Sequence, residues 1–255
     1  VSHRSHASIS NIQSFFKKKK YKGFLLEKEL KELGKIKKSP QHPYTIIVGG
    51  SKIGSKIHLL KTFLNKADNI LIGGGMAFPF IKFLGGEIGA SICRSEELEV
   101  AQMFLAKAQK SSTKIVLPID CVVTRNIKLK KNIKEISIMN IPPNHMGVDI
   151  GEKTIKLFNA IIEESKSIMW NGPMGVSEIK QFSNGTRLIG NAIARSTELG
   201  AYSLIGGGDT ISDVNRLGLK NQFTYVSTGG GAMLEFFKAG QLSTVEKLKS
   251  INRFD

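Results

Sequence analysis

Six short apolar runs along the chain each end in a loop rich in glycine, proline or aspartate. They are Thr45–Val48 before Gly49-Gly50, Ile70–Ile72 before Gly73-Gly74-Gly75, and Ile115–Leu117 before Pro118-Ile119-Asp120. Further on come Ile168–Trp170 before Asn171-Gly172-Pro173, Ser203–Ile205 before Gly206-Gly207-Gly208, and Phe223–Val226 before Ser227-Thr228-Gly229-Gly230-Gly231. Their apolar character is continuous rather than alternating, as in strands covered on both faces of a parallel sheet. Between them the spacing turns helical. One stripe is Ile53, Ile57, Leu60 and Leu64. A second, Leu98, Ala101, Leu105 and Ala108, is opened by Ser95 and two acids, and further stripes run through Ile155–Ile162, Leu188–Leu199 and Ile211–Leu217. Strand, glycine turn and helix in repetition predict an α/β fold: a doubly wound parallel sheet with helices on both faces, Rossmann-like. Ahead of the sheet, Gly23–Lys38 places Leu26, Leu30 and Leu33 on one helical face, and Pro40 and Pro43 stop it. Residues 1–43 are too few for a core of their own and are expected to be a connector. Residues 44–241 are the α/β domain and 242–255 a returning tail.

Length and composition narrow this further. At 255 residues with 41% hydrophobic and 23% charged, the chain has enough apolar material for a large core and is not disordered. No apolar run approaches the roughly 18 residues a membrane helix needs, so no membrane association is expected. The net charge of +16 favours an anionic partner of some kind. Half of it lies in residues 1–43, where Lys17–Lys20 form one run, and Arg125–Lys134 form another without an acid. A lysine-rich solvated surface explains both runs better than a partner does. Neither run interleaves arginine with aromatics or belongs to a nucleic-acid-reading module, so no specific nucleic acid is expected. Cys93 and Cys121 have no metal-ligand spacing and fit buried thiols in a reducing compartment, hence a cytoplasmic protein. The chain begins at Val1 rather than Met, which leaves room for an organellar targeting segment lost with whatever preceded it.

The chemistry is expected at the carboxyl ends of the strands, where open parallel sheets bind ligands. Glycine lets backbone approach an anion, and a following helix offers free N–H groups and partial positive charge. Three Gly-Gly-Gly triplets with Gly-Gly and Asn-Gly-Pro on one sheet edge therefore point to a phosphate-bearing ligand. Neither a Walker A sequence nor G-x-G-x-x-G occurs. Lys52 and Lys56 stand four apart at an expected helix opening, which would project both ammonium groups to one side. Asp209 after Gly206-Gly207-Gly208 reads equally as a helix N-cap or as a carboxylate holding Mg²⁺ beside phosphates. Glu178 is a first-turn acid or a ribose-hydroxyl acceptor.

Thr45–Lys56, Asn69–Phe80, Leu117–Asp120, Met146–Gly151, Met169–Glu178, Leu204–Thr210 and Val226–Glu235 resemble, in order, the motif series of the phosphoglycerate kinase family. His3-Arg4-Ser5-His6-Ala7-Ser8 and Gly23–Leu33 resemble its interdomain region, so the likeness covers nearly the whole chain. The resemblance implies the nucleotide-binding half and connector of an enzyme that transfers a phosphoryl group between ATP and the carboxylate of 3-phosphoglycerate, in glycolysis, with Mg²⁺. It implies a nucleotide site of Ser51, Lys52, Lys56, Gly74, Gly147, Gly172, Met174, Glu178, Gly207, Gly208, Asp209 and Thr210. By the same likeness Lys52, Gly230 and Gly231 are catalytic, Asp209 is metal-linked, and His3 and Arg4 are remnants of the 3-phosphoglycerate site. Its implied partners are ATP/ADP and 3-phosphoglycerate, and the chain is expected to be monomeric. The family's N-terminal domain has no counterpart here, so the chain is expected to bind nucleotide and turn over poorly alone. The alternative is a non-catalytic nucleotide-binding remnant. Ser55 stands where the family usually has an aspartate and Ser177 where it has a phenylalanine. His145 replaces a tryptophan, Met233 a small residue, and Leu242-Ser243-Thr244 the usual Leu-Pro-Gly.

Overall fold

A computed structural model describes residues 6–16, 21–54, 56–128, 133–242 and 245 of the protein. After two short helical turns at Ala7–Phe15 the chain runs α1 (Phe24–Lys38), β1 (Tyr44–Val48), α2 (Ile57–Phe63), β2 (Asn69–Ile72), α3 (Phe78–Phe83) and β3 (Glu87–Ile88). It continues with α4 (Ser95–Ala108), β4 (Lys114–Val116), β5 (Asp120–Thr124), β6 (Lys134–Ser137), β7 (Asn140–Ile141) and β8 (Met146–Ile150). The last third is α5 (Glu152–Glu164), β9 (Ser167–Asn171), α6 (Asn184–Glu198), β10 (Tyr202–Gly206), α7 (Gly208–Arg216), β11 (Tyr225–Val226) and α8 (Gly230–Ala239).

The six apolar runs become one six-stranded parallel sheet in the order β11-β10-β9-β1-β2-β4. The chain steps outward from β1 through β2 to β4, then returns to β1's other side and steps outward through β9, β10 and β11. The order reverses between β1 and β9, which is where doubly wound sheets open a crevice. Alternate residues of each strand serve opposite cores. Ile46, Val48, Ile70, Ile72, Met169 and Leu204 pack with α1, α2, α4 and α8 through Leu33, Leu60, Phe104 and Phe237. Ile47, Leu71, Ile168, Trp170 and Ile205 pack with α5, α6 and α7 through Phe158, Ile193 and Val214. The predicted helices on both faces are therefore present. Burying both faces removes every residue of the central strands β1 and β9 from water, at roughly 25 cal/mol per Å² of apolar surface.

Several boundaries differ from the sequence expectation, each for a local reason. Strand β11 is only Tyr225–Val226, because Phe223 closes a 3-10 turn at Lys220–Gln222. Helix α4, by contrast, opens at Ser95 with Glu96 and Glu97 in its first turn as expected, and Glu97 Oε2 accepts the Arg94 N–H at 3.1 Å. Leu199 lies beyond α6 and is exposed. A second layer was not foreseen: the antiparallel sheet β6-β5-β8 and the parallel pair β3-β7 enclose a small core of Phe78, Ile81, Cys121, Val123 and Ile141. It stands over the carboxyl edge of the main sheet and supplies a wall to the cleft described below.

Helix α1 belongs to the main core rather than standing apart. Leu33 and Ile36 are buried in it, and Lys37 Nζ donates to the carbonyls of Phe236 (2.8 Å) and Phe237 (3.3 Å) near the end of α8. Its buried Glu29 carboxylate accepts from Tyr225 Oη at 2.5 Å and from Ser227 Oγ.

Candidate functional site

The site grows from the strand ends. Beyond β1 and β9, Gly49 N donates to Asn171 O at 3.0 Å and Gly50 N to Pro173 O at 2.7 Å. Gly74 N, beyond β2, reaches Met174 O at 3.1 Å, and Met76 N reaches Gly50 O at 2.9 Å. Three loops from distant parts of the chain thus share one backbone network. Gly74 has φ +64°, and a Cβ there would lie 2.7 Å from Gly50 N and 2.9 Å from Pro173 O, so no other residue fits the crossing. Gly172, at φ +104°, would place a Cβ 2.2 Å from Lys56 Nζ.

Lys56 turns its ammonium back under the strand ends, donating to Gly49 O at 2.6 Å and Asn171 O at 3.1 Å. Burial pushes its pKa down to about 8, against a smaller upward pull from the Asp209 carboxylate. Lys56 is the N-cap of α2 and Lys52 lies in the exposed loop before it, so the two do not share a helix face. That expectation failed because the helix starts one turn later than the periodicity suggested, at Ile57.

Opposite Lys56 is the first turn of α7. Thr210 Oγ1 accepts Gly172 N at 2.7 Å, which joins this turn to the end of β9. Gly207 is the N-cap, with φ +97°, and Asp209 is the second residue of the helix, not its cap. The side chain of Asn171 lies against Gly207, its Nδ2 3.2 Å from where a Cβ on that glycine would be. Asn171 is 2% exposed and Nδ2 is buried without a hydrogen-bond partner. A donor left unpaired in the interior costs about 1–3 kcal/mol, and here it sits beside free helix N–H groups and an ammonium. In the sequence Asn171 stands out only as part of a turn. No signal in the run Asn171-Gly172-Pro173 separates a ligand donor from a turn former.

In front of these groups lies a cleft of about 740 Å³. Part of its wall is apolar, with Phe78, Ile138, Met146 and Val148 drawn largely from the second layer. Another part is charged, with Glu178, Asp209, Asp213 and Arg216. Of the expected residues, Ser51, Gly74, Gly147, Met174, Glu178 and Asp209 line this cleft. Gly147 is needed there because a Cβ would stand 2.3 Å from the Phe78 ring. Lys56, Gly172, Gly207 and Thr210 form the cluster behind it. Lys52, Gly208 and Gly231 are exposed and Gly230 is half-exposed, and none of the four lines the cleft. Gly230 and Gly231 do open α8, held from behind by Gly229 N donating to Ser227 Oγ at 3.2 Å and by Ser227's contact with Glu29. His3, Arg4 and Ser55 lie outside the described residues.

Asp149, Asp213 and Arg216 line the cleft without having been foreseen. Asp149 accepts Gly185 N at 2.8 Å at the start of α6, and burial pushes its pKa up to about 7. The native state therefore keeps a proton that the unfolded chain has released between about pH 4 and 7, so this group's stabilising contribution is lost as pH rises through that window. Asp149→Asn is expected to remove that loss. The variant's Tm relative to the parent should climb between pH 4.5 and 7.5, and a constant difference in thermal melts would refute the assignment.

The arrangement defines a class first: a doubly wound α/β domain whose cleft, at the reversal of strand order, is bordered by glycine turns and a helix N-terminus and backed by an ammonium. Comparison with known proteins then gives the family. The family model for phosphoglycerate kinase matches residues 1–240, and the chain belongs to that family. It is 42% identical over 256 residues to the phosphoglycerate kinase of Thermosipho africanus (100% of this chain, 63% of that protein). It is 41% identical over 247 residues to that of Thermus thermophilus (97% and 62%). Among solved structures it superposes on phosphoglycerate kinase from Coxiella burnetii with a TM-score of 0.83 at 39% identity, over 88% of this chain and 57% of that one. On the Pyrococcus horikoshii enzyme the TM-score is 0.78 at 29% identity, over 97% and 61%. The chain thus spans just over three-fifths of the length of the curated relatives it matches.

Proposed function

We propose that the chain is the nucleotide-binding part of a phosphoglycerate kinase, acting in reversible phosphoryl transfer between ATP and the carboxylate of 3-phosphoglycerate. The observation that carries this reading is the convergence of Lys56, the unpaired Asn171 amide and the first turn of α7 behind a cleft of nucleotide size. Phosphates fit there because the helix supplies free N–H groups, and the ammonium supplies charge in a site with little water. The apolar wall around Phe78 and Met146 suits a base, and Glu178 at the rim suits the ribose hydroxyls.

Such a transfer needs little covalent help from protein; placing the groups and stabilising charge suffice. Lys56 and Asn171 bind and orient the phosphate chain, with Gly172, Gly207, Gly208 and Thr210 shaping the backbone around it. Lys52, on its exposed loop, neutralises the phosphoryl group in flight once the partner half closes over the cleft. Gly230 and Gly231 contribute amide N–H groups from the start of α8. His3 and Arg4 contact the acceptor, 3-phosphoglycerate.

Asp209 fits a Mg²⁺ that arrives with the nucleotide, since this ion takes one or two carboxylates together with phosphate oxygens. No group of three or more His, Cys, Asp or Glu residues that could hold a metal occurs among the described residues. When bound, the ion would offset phosphate charge. Among the described residues no helix is long and apolar enough to cross a membrane.

Supplying the rest of a family member in trans tests the function. ATP formation from 1,3-bisphosphoglycerate should appear on mixing and be negligible for the chain alone. Nucleotide binding without recovered turnover would instead favour a non-catalytic remnant, which Ser177 and Ser55 motivate.

A further inference from the structure

Ser177, Asp213 and Arg216 form a polar knot in the cleft wall that the proposed chemistry does not use. Ser177 and Asp213 are 3% and 4% exposed. Ser177 Oγ donates to Asp213 Oδ2 at 2.7 Å, and Arg216 Nη2 donates to Asp213 Oδ1 at 2.5 Å and to the Ser177 carbonyl. Both oxygens of the buried carboxylate are thereby paired, as they must be for it to stay charged inside the protein. Burial nevertheless raises the Asp213 pKa above the usual carboxylate range. Ser177 and Arg216 pull it down, while the charges of Glu178 and Asp209 push it up. Asp213 therefore senses both carboxylates that flank it across the cleft wall.

Its position gives the knot a purpose. Asp213 lies one turn along α7 from Asp209, and Ser177 is the residue immediately before Glu178. The knot fastens the Glu178 turn to the helix whose first turn faces the phosphate cluster. An apolar pair of similar volume would hold a turn at least as firmly. A two-oxygen acceptor gripped by a hydroxyl and a guanidinium fixes direction as well as distance.

Resting on the nucleotide reading above, we propose that Asp213, acting through Ser177 and Arg216, is the positioning residue that aims the Glu178 carboxylate at the nucleotide's ribose hydroxyls. It thereby sets the preference for a ribose over a deoxygenated sugar. Asp213 touches no substrate itself. Losing it leaves the Ser177 hydroxyl and the Arg216 guanidinium to seek other partners, and the Glu178 turn loses its anchor to α7.

The test is calorimetric titration of the chain with Mg-ADP and with Mg-2′,3′-dideoxy-ADP, for the parent, Asp213→Ala and Glu178→Gln. Asp213→Ala should weaken ADP about tenfold, equivalent to ~1.4 kcal/mol, and leave the dideoxy nucleotide within about twofold. Glu178→Gln should do the same, and the double variant should be no worse than Glu178→Gln alone. Equal weakening of both nucleotides by Asp213→Ala would overturn the proposal, as would an unchanged ADP affinity. If Asp213→Ala does not fold, Ser177→Ala reads the same ratio with the carboxylate and its arginine kept. A parent chain that binds neither nucleotide refutes the nucleotide reading itself, whereas a binding parent with an unmoved ratio refutes only the role of Asp213.

Discussion

Lys56→Met should weaken nucleotide binding about a hundredfold or more while leaving the fold in place. The thioether side chain follows the path of the lysine stem, and the ammonium it removes contacts only backbone carbonyls, those of Gly49 and Asn171, in the described contacts. What is lost is the cation held against the phosphate position, with its charge-assisted hydrogen bonds. A loss of about a hundredfold or more in Mg-ADP affinity is expected, corresponding to ~3 kcal/mol. The pH dependence is a second signature. With a pKa pushed down to about 8, Lys56 sheds its proton over a range where an ordinary lysine keeps it. Parent affinity should therefore fall between about pH 7.5 and 9.5 towards that of the variant, while the variant's affinity stays flat over this range. The same shift works oppositely on stability. The native state releases its proton before the unfolded chain does, so this group's contribution to stability rises with pH from about 8 to 10.5. Titrations at three pH values with melts in the same buffers would measure both signs.

Trp170→Ala should be the most destabilising single change near the site. Trp170 is fully buried in the core shared by β9 with α5 and α6, and Nε1 donates to Gly172 O at 2.8 Å. Its ring packs within 3.4 Å of where a Cβ on Gly190 would sit, so α6 approaches the sheet over this one residue. Removing a buried indole typically costs about 3–5 kcal/mol, a large share of a stability of about 5–15 kcal/mol. Trp170→Phe keeps much of the volume, drops the hydrogen bond to Gly172, and should cost less. Urea denaturation of the three proteins gives the order directly. An alanine variant as stable as the parent would mean the tryptophan is not part of the core. As the one tryptophan of the chain, Trp170 also makes indole fluorescence a reporter of the Gly172 turn.

How much was legible in the sequence follows from where each signal resides. The main sheet was readable because runs such as Thr45–Val48 and Ile168–Trp170 are apolar on both faces and punctuated by glycine. The second layer was not, since β6 reads Lys-Glu-Ile-Ser and β3 and β7 are two residues each, too short to carry a period. The glycine turns point to an anion site, but the groups that the proposed site gathers are joined only by folding. Asn171 meets Gly207, Lys56 meets Asn171, and Asp213 meets Ser177 across 36 residues or more. The shared face expected for Lys52 and Lys56 failed because one turn's difference in the start of α2 decides where a side chain points. Among the resembled positions, the cleft gathers Ser51, Gly74, Gly147, Met174, Glu178 and Asp209, while Lys52 and Gly231 stand on exposed neighbouring loops.

The most direct measurement of the central claim is an amide NMR titration of the unmodified chain with Mg-ADP. Saturable one-to-one binding is expected, with the largest shifts at Gly50, Gly74, Gly172, Gly207 and the Asn171 side-chain amide. Saturable binding that shifts other residues and leaves these five signals in place would contradict the site, and the absence of any binding to the folded chain would contradict the function.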